Sequence, residues 1–315
     1  MPGNDSYIEQ DVFKQSLPLT TIFIILYTIV FFTGIGGNSL VIYVVLRNKA
    51  MQSTMNIFIT NLAVSDILIC LLPVPFTPLS YFMHSWIFGE FFCHVVPMTL
   101  CVLVYVSILT CTSLAVVRYY AIVYPLKPSM KPGVCLMYIV SVWMISVALS
   151  LPLGIFHQIE ETDSTTSCVE KWPNDVTPQF FVLTSLVLQY IVPCSIITYC
   201  YFNISLELQR RSKSRIVNES LISERIKREI GRNRRINKLM IAVVAIFVLC
   251  WLPLNLVLLA GEYHPKFSNH PYYPVIFFTA HVIAMSSAIY NPFLYAWKCE
   301  NFKKEFKHVL HCLCR

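Results

Sequence analysis

One acidic residue stands inside a long apolar stretch, where a charge is costly. Asp66 is the single charged residue between Ile57 and Met83. An ionisable group within a membrane-crossing segment is rare and usually has a function. The alternative is a structural aspartate that is protonated or satisfied by water. The choice between them depends on the elements that place polar side chains around Asp66.

A second charged residue, Arg118, ends an apolar stretch that begins at Cys93. The residues between them carry no formal charge. As an α-helix the stretch would be about 38 Å long at ~1.5 Å per residue, whereas the hydrocarbon core of a bilayer is roughly 30 Å thick. It therefore predicts a membrane-crossing helix with Cys93 and Arg118 in different compartments.

The composition is typical of an integral membrane protein. Its 315 residues are 56% hydrophobic and 13% charged, whereas a soluble domain has about 25% charged residues. No nucleophile–base pair or metal-ligating cluster has a usable spacing, so no catalytic site is expected. The first eighteen residues are polar, which argues against a secretory signal peptide.

Seven apolar stretches are long enough to cross a membrane. They are Leu19–Leu46, Ile57–Met83, Cys93–Tyr119, Val134–Phe156, Gln179–Leu206, Leu239–Gly261 and Tyr272–Trp297. The predicted fold is an all-α membrane protein with seven transmembrane helices, here called the first to the seventh span. The predicted organisation is a tail over 1–18, a transmembrane domain over 19–297 and a C-terminal region over 298–315.

The C-terminal region contains a short amphipathic pattern. Phe302, Phe306, Val309 and Leu310 recur at helical spacing with lysines on the other face, which predicts a helix lying in the membrane interface. Cys312 and Cys314 follow, and either palmitoylation or plain thiols fit these two positions.

The distribution of basic residues predicts the orientation. Connections over 47–56, 118–133, 207–238 and 298–315 contain 21 of the 24 Lys and Arg residues, and the other face contains ten of the 17 acids. Because positive residues stay in the cytoplasm, the N-terminus is predicted to be extracellular. A glycosylation sequon at Asn4 fits that side. The acidic outer mouth either attracts a cationic ligand or merely complements the basic inner face.

Two cysteines, Cys93 and Cys168, fall at the predicted outer face, where an oxidising environment favours a disulfide. Such a bridge would tie the 157–178 loop to the outer end of the third span and hold it across the mouth of the bundle.

Several short motifs occur in an order typical of one family. They are GNSLV at 37–41, NLAVSD at 61–66, VRY at 117–119, CWLP at 250–253 and NPFLY at 291–295, with Trp143 and Pro193 between them. Over residues 19–313 the chain closely resembles the rhodopsin-like (class A) G-protein-coupled receptors. WIFGEFFC at 86–93, CVEKW at 168–172 and the seventh-span sequence resemble the neuropeptide Y receptor-like group, which includes invertebrate peptide receptors.

The resemblance implies roles for polar residues inside the bundle. It implies a sodium ion at Asp66, held with oxygen-bearing neighbours, which are Asn38, Ser107, Ser287 and Asn291. It further implies that Trp251 lies below the ligand, with Phe247, Ile108 and Pro193 as a packing switch. Plain core packing is the alternative for each of these aromatic residues, and kinks at Pro193 and Pro253 are expected to serve as hinges.

The resemblance places Arg118 at a G-protein contact, together with the inner tyrosines Tyr201 and Tyr295. Here the sequence departs from the family. Val117 replaces the usual Asp, and Asn233 occupies a position that often carries an acid. The chain therefore predicts a weaker inactive-state lock and raised ligand-free signalling.

The ligand class follows partly by exclusion. The third span has no acid, which argues against biogenic amines, and the middle of the seventh span has no lysine for retinal. In the resembled group an acid at the top of the sixth span meets an arginine of the peptide, and Glu262 matches that position. Thr77, Gln189 and His281 match positions near the amidated end of the peptide. Leu100 and Leu258 replace residues that are polar in the group.

Simpler interpretations remain for two of these residues. Glu262 would also fit a solvated rim charge, and His281 would also fit an interior histidine with satisfied hydrogen bonds.

The predicted function is a plasma-membrane receptor for an amidated peptide of the RF-amide, RY-amide or neuropeptide Y/F type. The implied partners are a heterotrimeric G-protein of the Gi/o class, arrestin and the lipid bilayer, with no nucleic acid. The basic run over 207–238 fits either G-protein contact or lipid head groups. Two alternatives are a non-signalling decoy receptor and a transporter or channel, and the lack of inverted repeats argues against the latter.

Overall fold

The computed structural model describes residues 17–125, 130–162, 165–174, 176–216 and 224–313. Within these residues seven helical segments are long and apolar enough to cross a membrane, as predicted. Their helices run over Leu17–Arg47, Thr54–Leu71 with Pro73–Phe82, Gly89–Val123, Pro132–Phe156, Val176–Ile216 with an internal π-turn, Glu224–Tyr263 and Tyr273–Lys298. A single turn of 3₁₀-helix, Lys49–Met51, follows the first span, and a short helix, Pro265–Ser268, precedes the seventh.

The sixth span begins well before the predicted start at Leu239. Its helix starts at Glu224 and includes a run of Arg, Lys and Glu residues. These residues are good helix formers, so the helix continues beyond the apolar stretch that hydropathy detects.

The second span is broken where the hydropathy pattern predicted one continuous helix. The break lies at Leu72, between helices that end at Leu71 and begin at Pro73. Proline has no backbone N–H and its ring crowds the preceding turn. The sequence Leu72-Pro73 therefore ends one helix and starts the next.

The fifth span changes its winding ahead of Pro193. Residues Val187–Ile191 form a π-turn, which places Gln189 and Tyr190 in the interior. A π-turn adds one residue to the turn, so it rotates the side chains that follow it relative to a regular helix. The predicted kinks at Pro193 and Pro253 stay predictions, since the π-turn lies ahead of Pro193 and the helix Glu224–Tyr263 continues through Pro253.

The third span is the centre of the bundle. In its most apolar stretch of 18 residues, 67% of the residues are buried, whereas the corresponding share is 22% in the first and fourth spans. The outer faces of those two spans carry exposed Leu, Ile and Met side chains. The first and second spans approach each other closely at Gly34. A β-carbon at this position would overlap with Sγ of Cys70, so only glycine fits without a shift of the neighbouring side chain.

A two-stranded hairpin covers one end of the bundle. Strand β1, His157–Glu161, pairs antiparallel with strand β2, Thr166–Glu170. Cys168 on β2 is disulfide-bonded to Cys93, with a Cα–Cα distance of 5.6 Å, so the predicted disulfide is confirmed. This end of the molecule is called the hairpin end, and the opposite end is called the Arg118 end.

The C-terminal helix, Glu300–Leu313, confirms the amphipathic prediction. Phe302, Phe306 and Val309 are buried against the bundle, with the Phe302 ring 5.6 Å from that of Tyr295. Lys303 is exposed on the other face. Asn4, Cys314 and the side chain of Cys312 lie outside the described residues, so their predicted modifications are not addressed by the structure.

Candidate functional site

The intramembrane acid is linked to the seventh span. Asp66 is 3% exposed and accepts a hydrogen bond of 2.9 Å from the Asn291 side-chain amide. Asp66 lies on the second span, in the helix Thr54–Leu71. This helix buries several of its polar residues, among them Ser65 and Asp66. The pair therefore ties the second and seventh spans together in the middle of the bundle.

The other polar residues that sequence analysis grouped with Asp66 are also buried. Asn38 donates to the backbone oxygens of Gly34 and Ala288, at 2.9 and 2.8 Å, which leaves its own Oδ1 buried and without a partner among the described residues. The Ser107 hydroxyl lies 3.1 Å from that of Ser65. Among the hydrogen bonds of the described residues, the one to the Asp66 carboxylate comes from Asn291.

Ser287 has a partner that sequence analysis did not anticipate. Its hydroxyl accepts a 3.0 Å hydrogen bond from the indole N–H of Trp251. Trp251 is buried, and its ring centroid lies 6.0 Å from that of Phe247. The predicted aromatic pair of the sixth span is thus bonded to the same seventh span that bears Asn291.

His281 is buried between the first and seventh spans. Its Nδ1 is hydrogen-bonded to the hydroxyl of Tyr27 at 2.7 Å, and the ring stacks on Phe277. Its Nε2 is buried and has no partner among the residues that the structure describes. The interior-histidine interpretation accounts for one ring nitrogen and leaves the other available.

Gln189 lies in the core, between the fifth and third spans. The π-turn directs it inward, and its amide donates to Sγ of Cys101 at 3.9 Å. The adjacent Tyr190 hydroxyl accepts a hydrogen bond of 3.1 Å from Asn255 of the sixth span. Leu100 is partly buried against the same core. The predicted ligand position Gln189 therefore faces the interior.

Glu262 and Glu170 are two of the acids at the hairpin end. Glu262 ends the sixth span, where its backbone oxygen accepts a 3.2 Å hydrogen bond from Gln179. Glu170, at the end of β2, carries a second negative charge that acts on the Glu262 carboxylate. Sequence analysis missed Glu170 as a site residue, although the sequence CVEKW contains it. Its proximity to Glu262 depends on the disulfide-tied hairpin.

Trp172 fixes the position of Glu170. Its indole N–H donates to the Glu170 carboxylate, and its ring packs between those of Phe156 and Phe181.

Two other predicted pocket positions lie near this end. Thr77 is half-buried and Leu258 is exposed.

Arg118 lies at the opposite end without the usual carboxylates. Its Nε and Nη2 are buried and have no hydrogen-bond partner in the described part of the chain. It lines a cavity of about 1350 Å³ that also contains Arg232 and Arg235. With Val117 before it and a half-buried Asn233 in the sixth span, the guanidinium has no acid at either expected position.

The two tyrosines that sequence analysis grouped with Arg118 line one cavity. Tyr201 of the fifth span and Tyr295 of the seventh are both buried, and both line one cavity of about 10 Å³.

Sequence analysis did not identify the contacts of Tyr27 or of Arg235 and Glu300. Both pairs join residues that are distant in the chain. No local pattern in one sequence indicates such a pairing, because it arises from the packing of separate helices.

Comparison with known proteins identifies the family. Residues 37–295 match the family model described as 7 transmembrane receptor (rhodopsin family). The chain is 34% identical over 310 residues to neuropeptide Y receptor type 6 of Mus musculus, covering 92% of this chain and 81% of that protein. It is 32% identical over 303 residues to the QRFP-like peptide receptor of Branchiostoma floridae, covering 93% and 78%. It is 33% identical over 316 residues to neuropeptide Y receptor type 2 of Sus scrofa, covering 98% and 81%.

These matches agree with the motifs, the seven spans and the resemblance drawn from the sequence. Proteins of this family are receptors and not enzymes, in agreement with the prediction that the chain has no catalytic site. The chain belongs to the rhodopsin family of seven-transmembrane receptors.

Proposed function

We propose that this protein is a plasma-membrane receptor for a C-terminally amidated peptide and that it signals through a heterotrimeric G-protein. The observation that carries the proposal is that two acids lie at the hairpin end, Glu262 at the end of the sixth span and Glu170 at the end of β2. Two nearby carboxylates offer a site for a guanidinium, which binds carboxylates through several hydrogen bonds. The relatives named for neuropeptide Y and QRFP-like peptides support a peptide ligand.

The deeper groups suit the amidated end of such a peptide. A terminal carboxamide carries a donor and an acceptor but no charge, so it can enter a neutral interior that would exclude a carboxylate. The unpartnered Nε2 of His281 and the amide of Gln189 are neutral polar groups below the rim. Thr77 adds a hydroxyl. The apolar Leu100 and Leu258 favour an aromatic ring beside the amide, as in RF-amide, RY-amide and neuropeptide Y/F-type peptides.

The residues around Asp66 fit a sodium ion. The buried Asp66 carboxylate, the Asn38 Oδ1, which has no partner among the described residues, and the Ser107 hydroxyl are oxygen ligands of the kind that hard cations prefer. Ser287 and Asn291 complete the polar surroundings. A bound sodium ion would supply a positive charge that neutralises Asp66 and stabilises one packing of the spans around it.

Ligand binding acts by population shift between a closed and an open Arg118 end. The Trp251–Ser287 hydrogen bond couples the floor of the ligand site to the seventh span. Pro253 and the π-turn before Pro193 supply the points where the sixth and fifth spans bend. Opening exposes Arg118, and Tyr201 and Tyr295 regroup with it to form the G-protein contact.

The hairpin end faces the outside and the Arg118 end faces the cytoplasm. The basic connections at the Arg118 end support this orientation through the positive-inside rule. Asn4 would then be available for glycosylation, and Cys312 and Cys314 for palmitoylation at the inner leaflet. The G-protein is of the Gi/o class, and arrestin binds the same inner face.

One observation favours a second function, that of a decoy receptor that binds peptide without signalling. Val117 replaces the acid that usually precedes Arg118, and the guanidinium is unpaired at two nitrogens. A receptor with an altered inner mouth would bind its peptide at the hairpin end and fail to activate a G-protein.

A panel assay tests the proposal and separates it from the decoy. Cells expressing the full chain are exposed to RF-amide and RY-amide peptides, each paired with its free-acid form, and cAMP, calcium and surface peptide binding are measured. Signalling by the amidated forms alone supports the proposal. Binding without signalling supports the decoy, and neither binding nor signalling at normal surface expression contradicts both.

A further inference from the structure

Two neighbouring arginines hold the inner end of the sixth span. Arg234 donates from Nη2 to the backbone oxygen of Leu208 in the fifth span, at 3.3 Å. Arg235 forms a hydrogen-bonded ion pair with Glu300 of the C-terminal helix. Consecutive residues of an α-helix point about 100° apart, since a turn contains 3.6 residues. The sixth span is therefore tied to two different neighbours.

We propose that the Arg235–Glu300 ion pair restrains the sixth span in its closed position, in place of the contact that Val117 and Asn233 cannot make with Arg118. The inference rests on the proposed function, because it assigns a role in the receptor's opening. It concerns a contact between the sixth span and the C-terminal helix, and not between the sixth and third spans.

Glu300 pairs with a residue of another helix rather than with a lysine of its own. Lys303 and Lys304, three and four residues further along the same helix, are at the spacing of intrahelical ion pairs. The carboxylate instead contacts Arg235. The hydrogen bond and charge of Arg235 lower the pKa of Glu300.

The C-terminal helix has its own anchor and can act as a fixed point. Phe302 and Phe306 are buried against the bundle, and the Asn48 side chain donates to the Glu305 carboxylate at 3.1 Å. If the sixth span moves outward, Arg235 moves away from a helix that stays attached to the first and seventh spans. The pair must therefore separate when the Arg118 end opens.

Position supports the same role. Arg235 and Glu300 line the 1350 Å³ cavity that contains Arg118, so the pair borders the space that a G-protein would enter. The two side chains are 55% and 71% exposed, and exposed ion pairs are weak. We expect its loss to raise the ratio of open to closed receptor about two- to fivefold, which corresponds to a modest bias rather than full activation.

The restraint is tested without ligand or G-protein. The full chain in lipid nanodiscs carries spin labels on non-canonical amino acids at Arg228 of the sixth span and Val134 of the fourth, and their distance distribution is measured. The variants are Glu300→Arg, Arg235→Glu and the double charge exchange. The control is Lys307→Glu, which reverses a charge at an exposed position of the same helix.

The two single variants are expected to increase the long-distance population about two- to fivefold, and the double exchange to return it toward the native value. The control is expected to leave it unchanged. No shift in the single variants, or no return in the double exchange, would overturn the restraint. Distance changes without any peptide-stimulated signalling would support the restraint and contradict the proposed function, so the two failures are distinguishable.

Discussion

The hydroxyl of Tyr27 lies 2.7 Å from Nδ1 of His281, and this contact joins the first span to the seventh inside the bundle. The hydrogen bond fixes the plane of the imidazole ring. It leaves Nε2 buried and without a partner in the described part of the chain, at a residue that is 1% exposed. A buried polar atom without a partner is costly, so the arrangement suits a histidine that completes its hydrogen bonds with a ligand.

Removing the Tyr27 hydroxyl should therefore weaken peptide binding indirectly. In Tyr27→Phe the ring of His281 loses its orienting partner, and we expect peptide affinity to fall about fivefold, the equivalent of one hydrogen bond. Radioligand binding measures the change. Tyr43→Phe, which removes a hydroxyl that Arg47 contacts near the other end of the same helix, is the matched control. Equal affinity in Tyr27→Phe and the native protein would remove His281 from the ligand site.

The rim acids should act on one side chain of the peptide. In Glu262→Gln we expect the potency of an arginine-containing amidated peptide to fall about 10- to 100-fold, because a charge-assisted contact is lost. The same change should have little effect on a peptide in which citrulline replaces that arginine. Glu170→Gln should show the same dependence, and Glu90→Gln is the control acid at the same end. A loss of equal size for both peptides would mean that Glu262 does not recognise the arginine.

The sodium assignment predicts a salt effect on agonist affinity. Exchanging potassium for sodium should lower agonist affinity several-fold in the native protein, because the ion stabilises the closed state. Asp66→Asn should abolish the difference, since the charge that attracts the ion is gone. Ser146→Ala, at a buried serine that bonds to the backbone of its own span, should keep it. Sodium dependence that persists in Asp66→Asn would place the ion elsewhere.

The missing acid beside Arg118 predicts raised signalling in the absence of peptide. Introducing it in Val117→Asp should lower basal GTPγS binding several-fold, because the carboxylate can pair with the unpartnered guanidinium nitrogens. Val117→Asn has a similar shape without the charge and should remain close to the native level. Basal activity that is the same in all three proteins would show that the acid has no part in closing this receptor.

The packing of the first and second spans gives a stability test. A methyl group in Gly34→Ala would overlap with Sγ of Cys70, and overpacking of this kind costs about 1–3 kcal/mol. We expect a lower melting temperature, restored in part by adding Cys70→Ala. Gly36→Ala is the control, because a β-carbon there meets no atom within 4 Å. A melting temperature in Gly34→Ala equal to that of the control would contradict the close contact.

Much of the fold could be predicted because it depends on local composition. Apolar stretches of membrane-crossing length give the seven spans, and the spacing of Phe302, Phe306 and Val309 gives the C-terminal helix. The Cys93–Cys168 bridge followed from the two cysteines that share one predicted face. Membrane proteins favour such predictions, since every spanning backbone must satisfy its own hydrogen bonds.

The remainder depends on how the helices contact one another. Hydropathy does not indicate which face of a span meets which neighbour, so the partners of His281, Ser287 and Glu300 were not predicted. The break at Leu72 was missed although Pro73 lies beside it, because a proline within an apolar span can either kink the helix or end it. Glu170 was overlooked because its nearness to Glu262 depends on a hairpin that the sequence indicated only as a loop.

The most direct test of the account is peptide-stimulated nucleotide exchange on purified Gi by the receptor in nanodiscs. One arginine-containing peptide is used in its amidated and free-acid forms, with the native receptor and with Glu262→Gln. The account predicts exchange with the amidated form and the native receptor, and a large loss when either the amide or the Glu262 charge is removed. Equal exchange with the free acid, or none in a receptor that binds the amidated peptide, would contradict it.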